Sequence, residues 1–584
     1  MERNFYHIIV VMLLTHSIQD KVSASARNDL SRLPIVGLIQ DNQVPIKVKG
    51  TSPGNIQIEY FEGNDSVSIF SDWEYLSYSD DLTKSLILND INYNSDYTYR
   101  VIFSGGNNSD WSSFSTFPEQ SEPGEFSFVF SACFRENHLP HNVFNYIPNI
   151  SPTFVALLGD QIYADYDGNI NTGPSYSVVP ALRNKYGRNF DEHFQSMSST
   201  IPIIATWDDH DYGQDNADST YIYKEETKKV FKETYPIYPY QVEDEGIYYQ
   251  FKIADVDVFV LDTRWYRSPM DENDDDNKTM LGAEQLSWLL NGLVLSTAPF
   301  KLIISSVSMN DYGGDTSSGQ DGYDSWMGYT FERNTILSFI EDNQIYGVLV
   351  FSGDQHFPSS HILNWDAPLN SISQTDSSIV YSLSDLGSAV FDFSSSPFHY
   401  NRATGHALNQ ENQNNPFYSF EIFRDELGYP SVYGLAEVNT ENDIKSVTVT
   451  FYEFDSYNTL PYRLYGITVQ RDNTTVTISQ SMQTPNYFSV EQNFPNPFNG
   501  VTNILYSIHE NCNIKLTIYD ILGSEVITLS KGFHKAGKYS VIWEGNNFHG
   551  TPMPSGIYYY SLNTVSEKTV DQSVSLTKKM IYLK

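Results

Sequence analysis

Hydrophobic and polar positions fall into three textures along the chain. Between about residues 33 and 118 short runs alternate, most clearly Ile56–Phe61 (IQIEYF) and Tyr97–Phe103 (YTYRVIF), with Gly, Asn, Asp and Ser clusters between them. Period-two alternation broken by turn residues predicts strands with one buried face, here a small β-sandwich assigned to residues 33–120. Ser121-Glu122-Pro123-Gly124 marks its end. From Glu125 unbroken apolar runs alternate with helix-like stretches: Phe126–Ser131, Thr153–Leu158, Ile201–Thr206, Val256–Leu261, Lys301–Val307 and Tyr346–Phe351 read as buried strands. Leu286, Leu289, Leu290 and Leu293 crowd one intervening helix, and Ile336, Leu337, Phe339 and Ile340 another. Residues 123–472 therefore read as an α/β layered core. A polar linker (473–487) and a second small β-domain (488–584) complete the chain.

The stretch that organises the core is Thr153–Asp165, TFVALLGDQIYAD. Its apolar run ends in Gly159-Asp160, so the strand turns sharply and holds a carboxylate at the sheet's carboxyl edge, where open α/β sheets bind ligands. Other strands do the same. They lead into Ala132-Cys133-Phe134-Arg135, Trp207-Asp208-Asp209-His210-Asp211, Asp262-Thr263-Arg264 and Ser352-Gly353-Asp354-Gln355-His356. Carboxylates gathered in one place are costly unless cations neutralise them, and a single metal centre built from several strand ends accounts for the pattern.

Composition narrows the function. A formal net charge of −37 disfavours nucleic-acid and anionic-membrane partners. The acidic run Asp271–Asp276 reads as a solvated loop. Met1–Ala24 has the form of a secretory signal: Arg3, the apolar core His7–Leu14, and Val22-Ser23-Ala24 as a cleavage site. No segment reaches the roughly 20 apolar residues of a spanning helix. The two cysteines, Cys133 and Cys512, fall in different predicted domains and form no disulfide framework. Cys512, at the edge of a predicted strand, reads as a small buried residue. Gly532, Gly537 and Lys538 nearly spell a phosphate-binding loop, but Tyr539 follows and a β-hairpin is expected there.

As ligands, Asp160, Asp209 and Asp354 are hard carboxylates suited to Ca²⁺ and able to bridge two ions. His356 offers imidazole, Cys133 thiolate and Tyr163 phenolate, a combination favouring a high-charge polarisable ion such as iron. Such ions lower the pKa of a coordinated water toward about 7. His210, beside Asp209, is the candidate for protonating a leaving alcohol. Arg264 is the candidate for gripping a phosphate oxygen, with an ion pair to Asp262 or another acid as its structural alternative; Arg135 is a weaker second. Asp208 reads as a cap or ion-pair partner.

In order and spacing, ACFRE, LLGDQIYAD, TWDDHDYG, VLDTRWYR, LGAEQLSWLL and SGDQH resemble the alkaline phosphatase D (PhoD) family of calcineurin-like metallophosphoesterases. The resemblance implies a four-layer α/β/β/α sandwich preceded by a β-domain, here similar to fibronectin type III modules. It also implies a phosphate-ester hydrolase holding one Fe³⁺ with Ca²⁺. By motif, Cys133, Tyr163 and His356 would hold iron, Asp160 would bridge, and Asp354 would serve calcium. Asp209 stands where broader relatives carry a metal-binding Asn. Asn216 is a calcium-ligand candidate within GQDNAD, and YSLSDLGSAV departs from the Ser-Ser-Gly run of many relatives at the pocket rim. In the last hundred residues NFPNPFN, IYDILGSEV, PSGIYYYSL and KKMIYLK resemble the C-terminal sorting domain of type IX secretion substrates. That implies recognition by the export machinery, passage through the periplasm to the cell surface or outside, and removal of the domain afterwards; the chain is separately expected to be a monomer. A phosphodiesterase-only enzyme and a non-catalytic, calcium-stabilised adhesion protein are the alternatives; no G-x-S-x-G supports a serine hydrolase.

Overall fold

The computed structural model describes residues 30–63, 67–105, 108–135, 139–165, 175–310, 324–364, 373–375, 378–398, 417–419, 431–454, 461–472, 489–490, 493, 498–508, 511–521, 523–535, 537–566 and 573–583. The expected signal, the linker and most of NFPNPFN lie outside them.

Two mixed sheets carry the centre. The eight-stranded sheet runs, in spatial order, Ile203–Ala205, Phe154–Leu157, Glu125–Ser131, Ser431–Asn439, Ile444–Phe454, Tyr462–Asp472, Ser378–Ser382 and Ser373–Thr375. The seven-stranded sheet runs Tyr249–Ile253, Val256–Val260, Lys301–Ile304, Val348–Ser352, Phe391–Ser394, Ser359–Ile362 and Phe417–Ser419. Each has a parallel core: Glu125–Ser131, Phe154–Leu157 and Ile203–Ala205 in the first, Val256–Val260 through Phe391–Ser394 in the second. Parallel strands end on one edge, so the polar residue after each is delivered to the same side.

The sheets meet through aromatics. Phe351 packs edge-on against Phe128 and Phe130, with ring centroids 4.9 and 5.0 Å apart. In the seven-stranded sheet the side chains divide with period two. Val258, Leu302, Ile304, Leu349 and Phe351 join the core shared with the other sheet. Phe259, Ile303, Val348 and Val350 instead pack with Leu286, Leu289, Leu293, Ile336 and Ile340 of the helices Gly282–Leu295 and Thr330–Asp342.

The apolar runs therefore mark the strands, although the regular pairing is shorter at Ile203–Ala205 and Lys301–Ile304 than the runs themselves. The hairpin Ser431–Asn439 to Ile444–Phe454, which pairs with Glu125–Ser131, has no counterpart among the expected strands.

Ahead of this unit stand two antiparallel sheets, built on Leu30–Val36, Val44–Gly50 and Thr83–Leu88, and on Gly54–Glu62, Asp96–Phe103 and Ser112–Ser115. Behind it lie a three-stranded and a four-stranded sheet. The C-terminal part touches the α/β unit through Ser540 Oγ, which donates to Asn291 Oδ1 at 3.0 Å. Cys512 opens the strand Cys512–Tyr519 and is fully buried. One expectation is corrected. Glu525–His534 and Gly537–Trp543 are consecutive strands but belong to different sheets, so the near phosphate-loop is a sheet-to-sheet crossing and not a hairpin. The Asp271–Asp276 loop is exposed, and Asp274 accepts from the Thr330 and Phe331 amides at 2.9 and 3.1 Å, capping that helix. Among the described residues no helix is long and apolar enough to cross a membrane.

Candidate metal centre

The carboxyl ends of the two parallel cores converge at Gly353. A Cβ there would lie 2.5 Å from Ala132 Cβ, 3.2 Å from the Ser306 carbonyl oxygen and 3.3 Å from Leu158 Cβ. Only glycine permits that approach, which brings the Cys133, Asp160 and Asp354 turns together. Neighbouring turns are laced by their backbones: Cys133 N donates to Gly159 O at 3.1 Å and Phe134 N to Asp160 O at 3.0 Å. Cys133, Asp160, Asn216, Asp354 and His356 all have φ between 54° and 68°. Left-handed backbone at non-glycine residues is costly and gathers at functional sites. Here it falls on five of the seven residues expected to hold metal.

Two groups of ligand atoms result. Cys133, Asp160 and His356 present Sγ, carboxylate and imidazole atoms within 4.8 Å of one another, and Asp160, Asp209 and His210 do likewise. Asp160 belongs to both. Cys133 Sγ lies 3.4 Å from Asp160 Oδ2, while the buried Asp160 Oδ1 has no hydrogen-bond partner among the described residues. Asp354 joins neither group, and Asn216 approaches through its backbone, its amide donating to Asp209 Oδ2 at 2.7 Å. Tyr163 is buried, its ring 4.2 Å from that of His210, with the Arg135 guanidinium 5.7 Å over it.

The electrostatics are those of crowded negative charge. Burial pushes the Asp160 carboxyl well above the usual carboxylate range, against the pull of His210 and with Asp209, Asp208 and Asp211 adding to the rise. Burial and then Asp208, Asp324 and Asp209 do the same to Asp354. The Cys133 thiol is raised by burial and by Asp160, Asp354 and Asp208. Asp209 goes the other way: burial opposes ionisation, but His210, Arg264 and the Asn216 and His210 amides hold its carboxyl below the usual range. His356, half-buried, is lowered to about 4 by desolvation and then by the His210 charge, leaving a neutral imidazole of the kind that ligates metals.

Three acids unassigned or set aside by sequence reasoning do structural work. Asp165 Oδ1 lies 2.7 Å from His210 Nδ1. Asp208 Oδ1 accepts from Arg264 Nε at 2.6 Å and Ser306 Oγ at 2.9 Å, the ion-pair role anticipated for it. Asp324 takes Arg264 bidentately at 2.8 and 2.7 Å. Arg264 thus stands in the ion-pair arrangement that was the structural alternative to gripping phosphate. Its side chain is fully buried, Nη1 also donates to Ala217 O at 3.3 Å, and Nη2 lies 2.6 Å from Asp208 Oδ1. Asp262 is not its partner; that carboxylate accepts from the Trp207 indole and the backbone amides of Ile247, Arg264 and Trp265. The spacing of Asp165 in GDQIYAD offered a signal that went unread, whereas nothing in the sequence tied Asp324 to Arg264.

A family model described as PhoD-like phosphatase matches residues 128–451, more than half of the chain. The chain belongs to the PhoD-like phosphatase family. The α/β unit with its converging strand ends is thus the PhoD-like part of the molecule. Alkaline phosphatase D of Bacillus subtilis (strain 168) is 25% identical over 301 residues, 46% of this chain and 51% of that protein. The chain spans about half the length of that curated relative. A solved structure of PhoD superposes with a TM-score of 0.55 at 18% identity, covering 75% of this chain and 92% of the other, and shares its fold. Residues 506–568 match a model of the FlgD Ig-like domain, so the C-terminal sheets carry an Ig-like likeness separate from the PhoD-like unit.

Proposed function

We propose that the chain is a secreted, metal-dependent phosphoesterase of alkaline phosphatase D type, hydrolysing phosphate monoesters, diesters or both. The observation that carries this reading is the sharing of Asp160 between two ligand groups, one containing Cys133 and His356, the other Asp209 and His210. The donors fit cations. Asp160 Oδ1 is a buried oxygen without a hydrogen-bond partner among the described residues, and thiolate, carboxylate and neutral imidazole form a set that iron accepts. Cys133, Tyr163 and His356 would hold Fe³⁺, Asp209, Asn216 and Asp354 would hold Ca²⁺, and Asp160 would bridge. Cations bound there supply charge neutralisation for phosphate oxygens and acidify water.

The chain's own residues supply orientation and protons. With Nδ1 bonded to Asp165 and Nε2 3.7 Å from Asp215 Oδ1, His210 stands beside Asp160 and Asp209, where it can hand a proton to the leaving oxygen. Burial disfavours its charge, but Asp209, Asp160 and Asp165 outweigh this and raise it well above the ordinary imidazole range, as an acid requires. Arg264 acts behind the site, holding Asp208 and Asp324 in place.

The remaining architecture is read as a four-layer α/β/β/α sandwich over 123–472. A fibronectin-like β-domain (33–120) precedes it, and a type IX sorting domain (488–584) directs the chain through the periplasm to the cell surface. Metal analysis of purified protein, with hydrolysis of mono- and bis-nitrophenyl phosphate before and after calcium-selective chelation, tests the proposal. We expect iron and calcium in the protein and loss of activity on chelation that Ca²⁺ restores. Full turnover after calcium removal overturns the calcium assignment, and absence of hydrolysis of both substrates by metal-loaded protein overturns the enzyme.

A further inference from the structure

A cleft unconnected with the strand ends lies where the N-terminal β-part meets the helices Ser175–Asn189 and Lys224–Thr234. Its cavity volume is about 80 Å³, and its lining contains Arg32, Lys49, Arg183, Asp81 and Glu233. The two acids are already matched: Lys49 pairs with Asp81. Arg183 takes Glu233 bidentately, Nε to Oε2 at 2.8 Å and Nη2 to Oε1 at 2.7 Å.

Arg32 has no such match. Among the described residues its only hydrogen bond runs from Nη2 to the Thr234 carbonyl at 3.0 Å, and its guanidinium carbon lies over Phe190, 4.9 Å from the ring centroid. Nε and Nη1 are left over. Behind it the buried Lys47 donates to the Lys232 carbonyl at 2.7 Å and likewise has no acid within ion-pair distance among the described residues. Burial, and after it the Arg32 charge, pushes Lys47 down to about 7, the mark of cations crowded without enough counter-charge. On a chain of net charge −37 this is a local reversal of sign.

We propose that this cleft is a binding site for a phosphate-sized oxyanion, held by Arg32 with Lys49 and Arg183 at its walls. A planar guanidinium stacked on an aromatic ring with donors to spare is preorganised for an oxyanion, where charge-assisted hydrogen bonds are strongest. Electrostatics favours an anion over any cation, since the positive groups outnumber Asp81 and Glu233. The ligand bridges two parts of the molecule: Arg32 belongs to the strand Leu30–Val36, and Arg183 to the helix Ser175–Asn189. The site is independent of the metal centre and uses none of its residues.

The probe is inorganic phosphate on the metal-loaded full chain, read by calorimetric stoichiometry and by the shift in unfolding temperature, with product inhibition of phosphate-ester hydrolysis reporting the metal centre separately. We expect a phosphate-dependent stabilisation of the wild type. Arg32→Gln should weaken it on the order of tenfold or more, the scale of one hydrogen bond to a charged group, while leaving product inhibition unchanged. Should Arg32→Gln fold poorly, Ser31→Asp places a negative charge at the exposed mouth without removing any contact, and should weaken binding in the same direction. Equal phosphate binding by wild type and both variants overturns the proposal, as does a wild type whose only phosphate site is the one seen in product inhibition.

Discussion

Asp165 Oδ1 sits 2.7 Å from Nδ1 of His210, and the His210 backbone carbonyl accepts in turn from Ala164 N at 2.9 Å. The ring is therefore held at both its side chain and its backbone by the turn that also carries Asp160. A carboxylate on Nδ1 decides which nitrogen faces the reaction and stabilises the protonated ring.

Asp165→Asn keeps the shape and removes the charge. Because Asp165 is one of the groups raising His210, its loss should move the alkaline limb of the kcat/KM profile to lower pH. It should also reduce turnover at least about tenfold, a part of the roughly 10²–10⁴-fold that general acid–base help is worth. The loss should be smaller for nitrophenolate, a leaving group that needs little protonation. A pH profile of kcat/KM on good and poor leaving groups decides it, and an unmoved alkaline limb would remove His210 from the proton-transfer role.

Arg264→Gln separates support from substrate binding. It leaves Asp208 without its buried partner and Asp324 with Arg267 alone, and breaking such a pair costs about 3–5 kcal/mol. Denaturant unfolding should show that loss even in metal-loaded protein. A variant of unchanged stability whose KM rises would restore the phosphate-gripping role.

Stripping the metals should make stability pH-dependent in a definite direction. Asp160 and Asp354 are raised well above 3.8, and Asp208 and Asp211 to about 6 and about 7, burial being the first cause in each case. A raised carboxylate binds more protons folded than unfolded, so its contribution is complete below the unfolded value and is lost as pH climbs through the folded one. Chelated protein should therefore weaken between about pH 4 and 7 and stay weak above. Restoring the metals should remove the decline, because ligation needs the ionised forms. Unfolding measured at pH 5 and pH 8 with and without chelator gives the answer; chelated protein more stable at pH 8 than at pH 5 contradicts it.

Tyr163→Phe tests the iron assignment through colour. A phenolate and a thiolate on Fe³⁺ give charge-transfer absorption, which Zn²⁺, Ca²⁺ and Mg²⁺ lack, so concentrated wild type should be coloured and bleach with dithionite. The variant keeps the ring's packing on His210 and should shift or lose the band and retain less iron. A purely structural Tyr163 would leave the spectrum intact and cost at most about one hydrogen bond, roughly 0.5–1.5 kcal/mol. Absorbance with iron content distinguishes the two.

The sequence by itself determined the parallel cores and the chemistry at their ends. An apolar run such as Phe154–Leu157, buried along its whole length, has few other conformations that hide so much apolar surface, and a glycine–aspartate pair at its end is a local feature. Cys133, Asp160, Asp209 and His356 were legible for that reason, and the structure brings Cys133, Asp160 and His356, and Asp160 with Asp209, within 4.8 Å. What only the tertiary structure decided were the pairings between distant segments. Whether Arg264 meets a substrate or Asp208 and Asp324, 56 and 60 residues away, depends on which loops the sheets bring beside it, and no periodicity records that. The same holds for Ser431–Asn439 beside Glu125–Ser131, and for Arg32, whose missing counter-charge exists only because a strand and two helices close around it. Local burial is written in the order of residues, whereas ion pairs and clefts are set by distances across the fold.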